Sequence, residues 1–360
     1  MQLLIYGARS LALGVATAMQ TLYPEYPLKG FLVTSLQNNP TSLMGLPVWE
    51  LQEAVAALKI QENMDYHILV AAPDDAHLEI SKTLEKFNCH NYTSLTSETR
   101  EFLMEKYYER SGKFHFLREL IRGAEKCTLN IFMAQFYRDR KLKTQYERPE
   151  WVYPLQVGKA LTDIRITELT DDSGENISAK NPNYCELTAL YWIWKNRLVH
   201  TKHEVSEYYG LCHYRRVLDI TEDDLYRLGT AEADVILPFP TVHEPNILEH
   251  YSRYVSESDW SAMERALEEL NPGYAQALSG IFEQKYFYNY NILIAKKQVL
   301  ADYCAWLFPI LFRAEELSIP KGCQRADRYI GYLGENLLTL YFMFHQKDLK
   351  IVHTGCFMLT

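Results

Sequence analysis

Short apolar runs alternate with amphipathic segments in the first hundred residues. A strand-like run at Leu3–Tyr6 is followed by a glycine-containing turn and then by a segment with helical periodicity. This order is typical of a nucleotide-binding α/β domain, in which the turn between strand and helix faces the ligand. We therefore predict a Rossmann-like domain at residues 1–98. Its predicted strands are 3–6, 30–33 and 67–71, its helices are 11–22 and 77–87, and its nucleotide-binding turn is Gly7, Ala8, Arg9 and Ser10.

That turn lacks the dinucleotide fingerprint. After Gly7 the next glycine is Gly14, so the G-x-G-x-x-G spacing is absent. The second strand ends in Thr34 and Ser35, where an acidic residue would bind a ribose hydroxyl. These departures disfavour a nicotinamide oxidoreductase.

Strands and helices alternate again in the larger, C-terminal part of the chain. Residues 99–126 are charged and aromatic with helical spacing, which predicts a helical connector that docks on a domain or mediates dimerisation. The alternation over residues 127–360 predicts a second α/β domain, with a mostly parallel sheet covered by helices on both faces. Its predicted strands are 128–133, 163–166, 208–212, 234–238 and 291–295, and its helices are 184–196, 259–270 and 302–315.

The strand at 208–212 leads directly into cationic and proton-bearing side chains. If it stays extended, His213 and Arg215 share one face while Arg216 lies on the other. Arginine pairs with two phosphate oxygens at once, and a neighbouring histidine adds a donor or moves a proton. The pattern predicts an anion clamp, and the alternative is an ion pair of either arginine with Asp219.

The helix at 184–196 and the loop before it offer further candidates. Asn183 is a suitable N-cap, and Glu186 stands three residues later, at the glutamate position of a capping box. Glu186 is therefore either a capping residue or a catalytic one. Asp171 and Asp172 would hold a divalent cation or belong to a solvated turn.

Polar residues near the C-terminus are candidates for the acceptor and sugar sites. Asp327 and Glu335 flank Arg328, and Glu335 opens a predicted apolar helix. Burial against this helix would raise the pKa of Glu335 toward that of a base, whereas a helix N-terminal acid would complement the dipole. Asn289 and Asn291 precede a strand and would bind sugar hydroxyls or form a turn.

Composition narrows the classes of function. The net charge of −9 comes without a basic block, which disfavours a nucleic-acid-binding protein. No apolar run approaches the roughly 20 residues of a membrane span, and the N-terminus lacks a signal-peptide pattern. The seven cysteines are scattered, with no C-x-x-C pair, which favours reduced thiols over a disulfide framework or a zinc site. We expect a cytoplasmic protein.

Several motifs follow one another in the second domain: 153–158, 172–178, 180–192, 194–196, 210–216, 288–297, 303–308 and 328–338. In this order they resemble the bacterial capsular-polysaccharide glycosyltransferases long catalogued as a domain of unknown function. The resemblance covers residues 127 to 345 and implies a GT-A fold. Where family members often carry a histidine-lysine pair, this chain has Ala134-Gln135-Phe136-Tyr137.

The resemblance implies transfer of a sugar, with galactofuranose among the candidates, from a UDP-sugar to a glycan or lipid-linked acceptor. We expect His213, Arg215 and Arg216 to neutralise the departing diphosphate without a metal, and Asp327 or Glu335 to act on the acceptor. The alternative is Mg²⁺ or Mn²⁺ at Asp171 and Asp172. The residues expected to bind the donor are Gln156, Asp172, Asn176, Asn181, Glu186, Asn196, Asn289, Asn291 and Arg328.

The N-terminal domain carries a second resemblance. Gly7-Ala8 and Gly30-Phe31 are similar to the sugar-nucleotide-binding domains of bacterial sugar acetyltransferases. The alternative function is therefore a non-catalytic sugar-nucleotide-binding or assembly protein of a polysaccharide pathway. A peripheral association with the inner face of the membrane and a homodimer are compatible with either function. His243, Glu244 and His250 lie in a predicted loop after Pro238, where an acceptor would enter.

Overall fold

The computed structural model describes residues 1–62, 65–143, 145–199, 207–249 and 254–359. His250 lies outside the described residues. The chain divides into two compact units, Met1–Phe114 with Thr241–Pro245 and His115–Pro240 with Asn246–Leu359. Among the helices that the structure describes, none is long and apolar enough to cross a membrane.

The first unit is built on a six-stranded sheet. Its strands are β1 (Gln2–Tyr6), β2 (Leu28–Val33), β3 (Ser42–Leu43), β4 (Leu46–Glu50), β5 (Tyr66–Val70) and β6 (Tyr92–Ser94), and its helices are α1 (Ser10–Leu22), α2 (Leu51–Leu58), α3 (His77–Lys86) and α4 (Ser97–Ser111). The strand order is β3-β4-β2-β1-β5-β6, and every pair is parallel except β3 with β4. Leu4 and Ile5 of β1 are fully buried, as expected for a central parallel strand covered on both faces.

The remaining elements belong to the second unit, with the exception of β13. The strands are β7 (Leu129–Gln135), β8 (Val152–Gln156), β9 (Leu169–Thr170), β10 (Tyr208–His213), β11 (Arg216–Leu218), β12 (Val235–Pro238), β13 (Thr241–Val242, grouped with the first unit), β14 (Tyr286–Phe287), β15 (Leu293–Lys296), β16 (Ile351–Thr354) and β17 (Cys356–Met358). The helices are α5 (Asn181–Tyr184), α6 (Leu187–Ile193), α7 (Glu222–Leu228), α8 (Glu257–Leu270), α9 (Pro272–Phe282), α10 (Lys297–Leu317) and α11 (Tyr329–Phe344).

The main sheet of this unit has the order β16-β12-β15-β10-β7-β8-β9, and β11 pairs with β10 and β17. Only β15 runs antiparallel within the main path, so the predicted mostly parallel sheet is confirmed. Tyr209 and Leu211 belong to a core with α6, α8, α10 and α11, whereas Tyr208 and Cys212 belong to a core with α7. Successive residues of one strand are therefore buried on opposite faces, which requires helices on both sides.

Two predicted elements differ from the structure, and one helix was not predicted. Residues 163–166 form an exposed loop instead of a strand, because Ile164 and Ile166 face solvent and the loop backbone bonds to a buried glutamine side chain. The predicted helix at 184–196 is divided into α5, α6 and a π-helical segment at Trp194–Val199. After α8, which ends at Leu270 as predicted, Pro272 begins a second helix that the sequence pattern does not predict. Proline fits its first turn because the missing N–H is not needed there.

Candidate functional site

The strand that leads into the predicted anion clamp stops at His213. Tyr214 and Arg215 form a turn, and β11 begins at Arg216. Antiparallel pairing places Arg216 opposite His213, and directly opposed residues share a face of the sheet. The strand does not stay extended, so the expected pairing of His213 with Arg215 on one face is replaced by His213 with Arg216.

His213 is largely buried, and its surroundings favour the neutral ring. Burial lowers the pKa of His213 below its usual 6.5; Glu186 opposes this shift, Arg216 adds to it, and a hydrogen bond to the Tyr290 backbone opposes it. Nε2 of His213 has no hydrogen-bond partner among the described residues and lies 3.9 Å from Oε2 of Glu186. The contact with Tyr290 therefore involves Nδ1, which leaves an unpaired lone pair on the buried Nε2.

A break between α5 and α6 turns Glu186 toward His213. Cys185 has a positive φ of 51° and separates the two helices. The Glu186 side chain makes no capping hydrogen bond to α6. Instead, Oε1 of Glu186 accepts a hydrogen bond of 2.6 Å from Nδ2 of Asn291. Of the two roles left open for Glu186, the capping role is therefore wrong.

Asn183 is not the predicted N-cap either, because it lies inside α5. Its Nδ2 donates to the carbonyls of Gly322 and Arg325 at 2.7 and 2.8 Å. Its Oδ1 accepts from the backbone N–H of Asp327 at 3.1 Å. Asn183 therefore holds in place the loop that leads into α11.

The turn before β15 reaches the same carboxylate from another part of the chain. Tyr290 and Asn291 have φ values of 72° and 51°, a left-handed conformation that is uncommon outside glycine. Asn291 also donates to the Gly331 carbonyl at 3.1 Å. The guanidinium of Arg216 lies 3.8 Å from the ring centroid of Tyr290. A ring face holds a guanidinium without using its hydrogen-bond donors, so Arg216 keeps them for a ligand.

Arg328 precedes α11 with a φ of 68°. Its Nε donates to Sγ of Cys185 at 3.3 Å. Burial raises the pKa of the Cys185 thiol to about 12, so this thiol acts as a neutral hydrogen-bond partner and not as a nucleophile. Cys185, Tyr290, Asn291 and Arg328 are four of the nine described non-glycine residues with positive φ. Such backbone strain is concentrated at functional sites.

Glu335 is a further carboxyl group near Glu186, Arg216 and Arg328. It lies seven residues after Arg328, and α11 begins six residues before it, so Glu335 does not open the helix. Burial raises the pKa of Glu335 to about 8; the charge of Glu186 adds to the rise, and the Tyr290 N–H, Arg216 and Arg328 oppose it. The residue as a whole is partly buried, and its carboxyl group is desolvated.

We call Glu186, His213, Arg216, Arg328 and Glu335 the charge cluster. Two guanidinium groups can pair with phosphate oxygens. A carboxyl group that titrates near neutral pH can move a proton, and a neutral imidazole can accept a hydrogen bond. The arrangement suits a reaction in which an anionic group leaves while a hydroxyl group loses its proton.

Other predicted donor-binding residues bond to nearby backbone groups. Gln156 is fully buried; its Nε2 donates to the Ile164 carbonyl at 2.7 Å, and its Oε1 accepts from the Ile166 N–H at 2.8 Å. Nδ2 of Asn176 donates to two carbonyls of its own turn, one of them that of Asp172. These contacts shape loops, and the donor-binding role of Gln156 and Asn176 stays a prediction.

Three more asparagines were predicted to bind the donor. Nδ2 of Asn181 donates to the Cys185 carbonyl at 2.8 Å. Nδ2 of Asn196 donates to two backbone carbonyls at 2.8 and 3.0 Å. Asn289 is partly exposed beside Tyr290 and hydrogen-bonds to its side chain. Of the three, Asn289 is therefore directly adjacent to the residues that hold the charge cluster.

The acidic loop proposed as an alternative metal site is held by its own hydrogen bonds. The carboxylate of the buried Asp171 accepts from the N–H groups of Gly158 and Lys159 at 2.9 and 3.2 Å and from the Ser178 hydroxyl. Asp172 is exposed. Within the described ranges, no group of three or more His, Cys, Asp or Glu side chains is suited to a metal ion. Asp171 therefore stabilises the loop.

Two predicted catalytic residues lie apart from these contacts. Burial raises the pKa of Asp139, and the nearby charge of Arg215 lowers it, which places Arg215 beside the loop after β7. Asp327 accepts from Nε of Arg325 at 2.8 Å, and Arg325 also binds the buried Asp259 through two bonds of 2.7 and 2.8 Å. Asp327 therefore belongs to a structural ion-pair network, and its acceptor role stays a prediction.

The N-terminal turn has the predicted position after β1. Gly7 has a φ of 127°, and a Cβ there would lie 2.8 Å from the Ala71 carbonyl oxygen, so the turn requires glycine. Ala8 is buried, Arg9 donates to a backbone carbonyl at 3.2 Å, and Ser10 begins α1. The role of this turn in nucleotide binding stays a prediction.

No sequence pattern predicted the residues that hold the charge cluster in place through backbone hydrogen bonds, aromatic rings or a sulfur atom. These include Tyr290, Cys185 and Tyr332, whose ring lies 5.9 Å from Arg328 and 5.5 Å from the ring of Tyr254. Tyr290 offered one signal, since it lies between two asparagines, a residue type that tolerates the left-handed conformation.

The chain matches one protein family and is similar to a solved glycosyltransferase structure. Residues 138–347 match the family model described as a domain of unknown function, DUF4422. Among solved structures, the chain is similar to the apo structure of the bifunctional glycosyltransferase WbbM, with a TM-score of 0.54 and 28% sequence identity. The match covers 65% of this chain and 45% of that chain, so this chain spans less than half of WbbM. No curated protein matches it. The α/β fold is therefore glycosyltransferase-like.

Proposed function

The chain belongs to the family described as a domain of unknown function, DUF4422, and from this premise we propose that it is a glycosyltransferase. The observation that carries the proposal is the convergence of two arginines, a neutral histidine and two carboxyl groups in the charge cluster. The similarity to a bifunctional glycosyltransferase supports this class of reaction. We propose a UDP-sugar donor, with galactofuranose as the candidate sugar, and a capsular or other surface glycan as acceptor.

Arg216 and Arg328 bind the diphosphate in this proposal. Both guanidinium groups lie near tyrosine rings, at 3.8 Å from Tyr290 and 5.9 Å from Tyr332. A guanidinium placed over a ring can still direct its N–H donors at phosphate oxygens. When the bond between C1 of the sugar and the diphosphate oxygen breaks, the electron pair remains on that oxygen. The two cations then stabilise the charge without reorganisation.

Glu335 accepts the proton of the acceptor hydroxyl. The acceptor oxygen forms the new bond to C1 while its proton moves to the carboxylate. A pKa of about 8 suits this role, because a general base is most effective when its pKa lies near the working pH. Nε2 of His213 accepts a hydrogen bond from a sugar hydroxyl. Asn291 holds Glu186 beside the ring through the bond of 2.6 Å.

We propose that the reaction needs no metal ion. The arginines supply the positive charge that a metal would otherwise provide. The carboxylate of Asp171, the alternative ligand, already accepts three hydrogen bonds. We further propose that the enzyme works in the cytoplasm, at the inner face of the membrane.

Titration of UDP and UDP-sugars in EDTA, followed by donor hydrolysis, tests the clamp. We expect the wild type to bind UDP and to hydrolyse or transfer its sugar. Arg216→Ala should lower turnover about 10²–10³-fold, the usual loss for one preorganised donor. Arg265→Ala is the matched control, since this exposed arginine of α8 pairs only with Glu269 in the described structure; it should behave as wild type.

A second variant separates proton transfer from donor binding. Glu335→Gln should keep the UDP affinity and lose transfer to an acceptor. Binding that requires Mn²⁺ would point to Asp171 and Asp172 instead of the arginines. If UDP does not bind with either EDTA or Mn²⁺, the proposed function is wrong.

A further inference from the structure

Three neighbouring strands of the second unit end at one edge of the sheet. β10, β7 and β8 are parallel, and their registers place His213 beside Ala134 and Gln135 beside Gln156. The chain therefore leaves β7 into residues 136–143 and β8 into residues 157–168 at the same edge where β10 delivers His213. We call these two segments the edge loops.

The second edge loop presents large aliphatic side chains to solvent. Leu161, Ile164 and Ile166 are 46%, 54% and 44% exposed. Gln156 binds the backbone of Ile164 and Ile166 from inside the protein, and Nε of Arg165 donates to the Thr167 carbonyl at 3.1 Å. The loop is thus held by hydrogen bonds in a conformation that leaves its apolar side chains in water, which is unfavourable unless another surface covers them.

The first edge loop is basic in a chain whose net charge is −9. Arg138, Arg140, Lys141 and Lys143 are all exposed. The guanidinium of Arg138 lies 4.9 Å from the ring of Tyr137, so an aromatic residue accompanies the positive charges. The loop also contains one acidic residue, Asp139, which lies near Arg215 of the adjacent hairpin turn.

We propose that the edge loops dock on an anionic lipid surface. Exposed aliphatic side chains next to clustered lysine and arginine are the combination that binds at the interface of an acidic bilayer: the apolar groups enter the acyl boundary and the cations pair with headgroup phosphates. The docking surface rests on the membrane location proposed above and identifies the residues that would reach the bilayer. Because β10 ends at the same edge, docking brings the charge cluster to a lipid-linked acceptor at the membrane.

Co-sedimentation with vesicles tests the proposal without any substrate. The full chain should bind phosphatidylcholine vesicles that contain phosphatidylglycerol, bind pure phosphatidylcholine far less, and release in high salt. Ile164→Ser with Ile166→Ser should weaken binding roughly tenfold or more, because two apolar groups no longer insert. Arg138→Gln with Lys141→Gln should weaken it by a similar factor, since each cation contributes to attraction by the surface.

Matched controls come from α3 of the first unit. Leu78 is 69% exposed and Lys82 and Lys86 are exposed, so Leu78→Ser and the pair Lys82→Gln with Lys86→Gln should leave vesicle binding unchanged. The proposal is overturned if the wild type does not bind acidic vesicles, or if both edge-loop variants bind them as strongly as the wild type does. It is also overturned if sedimentation velocity shows that these loops instead form a dimer interface that the variants dissolve.

Hydrolysis of a UDP-sugar in the absence of vesicles is measured on the same proteins. The edge-loop variants should retain the wild-type rate, because none of the changed residues belongs to the charge cluster. An inactive wild type that still binds vesicles would contradict the proposed transfer reaction alone, and an active wild type that does not bind would contradict the docking surface alone.

Discussion

At the residue level, the two carboxyl groups of the charge cluster differ in how they are held. Glu186 accepts a hydrogen bond from Asn291 and lies 3.9 Å from His213. Glu335 is desolvated and feels the negative charge of Glu186, and its pKa rises to about 8. A carboxyl group whose pKa is raised in this way can exchange a proton near neutral pH.

The raised pKa of Glu335 makes stability depend on pH. The folded pKa of about 8 lies above the ordinary value of 4.5, so the folded protein holds this proton more tightly than the unfolded chain does. Its stabilising contribution is complete below pH 4.5 and is lost as the pH rises through 8. Glu335→Gln should therefore raise the melting temperature relative to wild type at pH 9 and not at pH 4.5.

Thermal unfolding of both proteins at these two pH values measures the effect. Glu268→Gln, an exposed position on α8, is the control and should show no such difference between the two pH values. A Glu335→Gln variant that melts at the wild-type temperature at pH 9 would contradict a raised pKa in the folded state.

Local patterns identified several members of the charge cluster but not their neighbours. The change from apolar residues to His213 and Arg216 correctly indicated where the strand ends. The turn at Tyr214-Arg215 was not predicted, because it contains no glycine, asparagine or proline. The left-handed backbone at Cys185 likewise has no glycine signal. The bond between Asn291 and Glu186 joins residues 105 positions apart, and no periodicity within one element reports such a contact.

At the level of elements, α11 supplies two members of the charge cluster and depends on close packing to do so. Arg328 precedes its first turn, and Glu335 follows seven residues later, inside the helix. Between them, Gly334 packs so closely that a Cβ would lie 2.6 Å from Cδ1 of Leu187 and 3.1 Å from Oδ1 of Asn291. The absence of a side chain at Gly334 thus lets α11 approach α6 and the turn before β15.

Gly334→Ala should therefore destabilise the protein despite the higher helix propensity of alanine. Leu187 is fully buried, so overpacking costs about 1–3 kcal/mol, and displacement of Asn291 should also lower turnover. Gly280→Ala in α9 is the matched control, since a Cβ there meets nothing within 4 Å. It should be neutral or stabilising by up to about 1 kcal/mol. Urea unfolding measures both, and a Gly334→Ala protein as stable as Gly280→Ala would contradict this packing.

At the level of the whole molecule, each of the two units carries its own parallel sheet with a loop-bearing edge. The charge cluster lies in the second unit, which also contains most of the stretch matched by the family model. Alternating strands and helices predicted both sheets from the sequence, because buried parallel strands are continuously apolar. The predicted strand at 163–166 is wrong, because alternating apolar residues in an exposed loop give the same pattern as a short strand.

We expect one UDP to bind per chain, and calorimetric stoichiometry measures it. Arg216→Ala should weaken this binding, since only Arg328 of the two arginines remains. Ser10→Glu places a negative charge at the first turn of α1, where it would repel a phosphate, and should leave the UDP affinity unchanged. Two UDP per chain, or weaker binding in Ser10→Glu, would assign a nucleotide site to the first unit.

The positive φ values of Cys185, Tyr290, Asn291 and Arg328 create a conflict between stability and activity. Glycine would relax each of these backbones, but it would also remove a side chain that holds or forms the charge cluster. Selection for heat resistance would therefore favour substitutions that selection for turnover rejects, a stability–activity trade-off. Thermostable relatives of this protein would have to gain their stability elsewhere in the chain, for instance by shortening exposed loops.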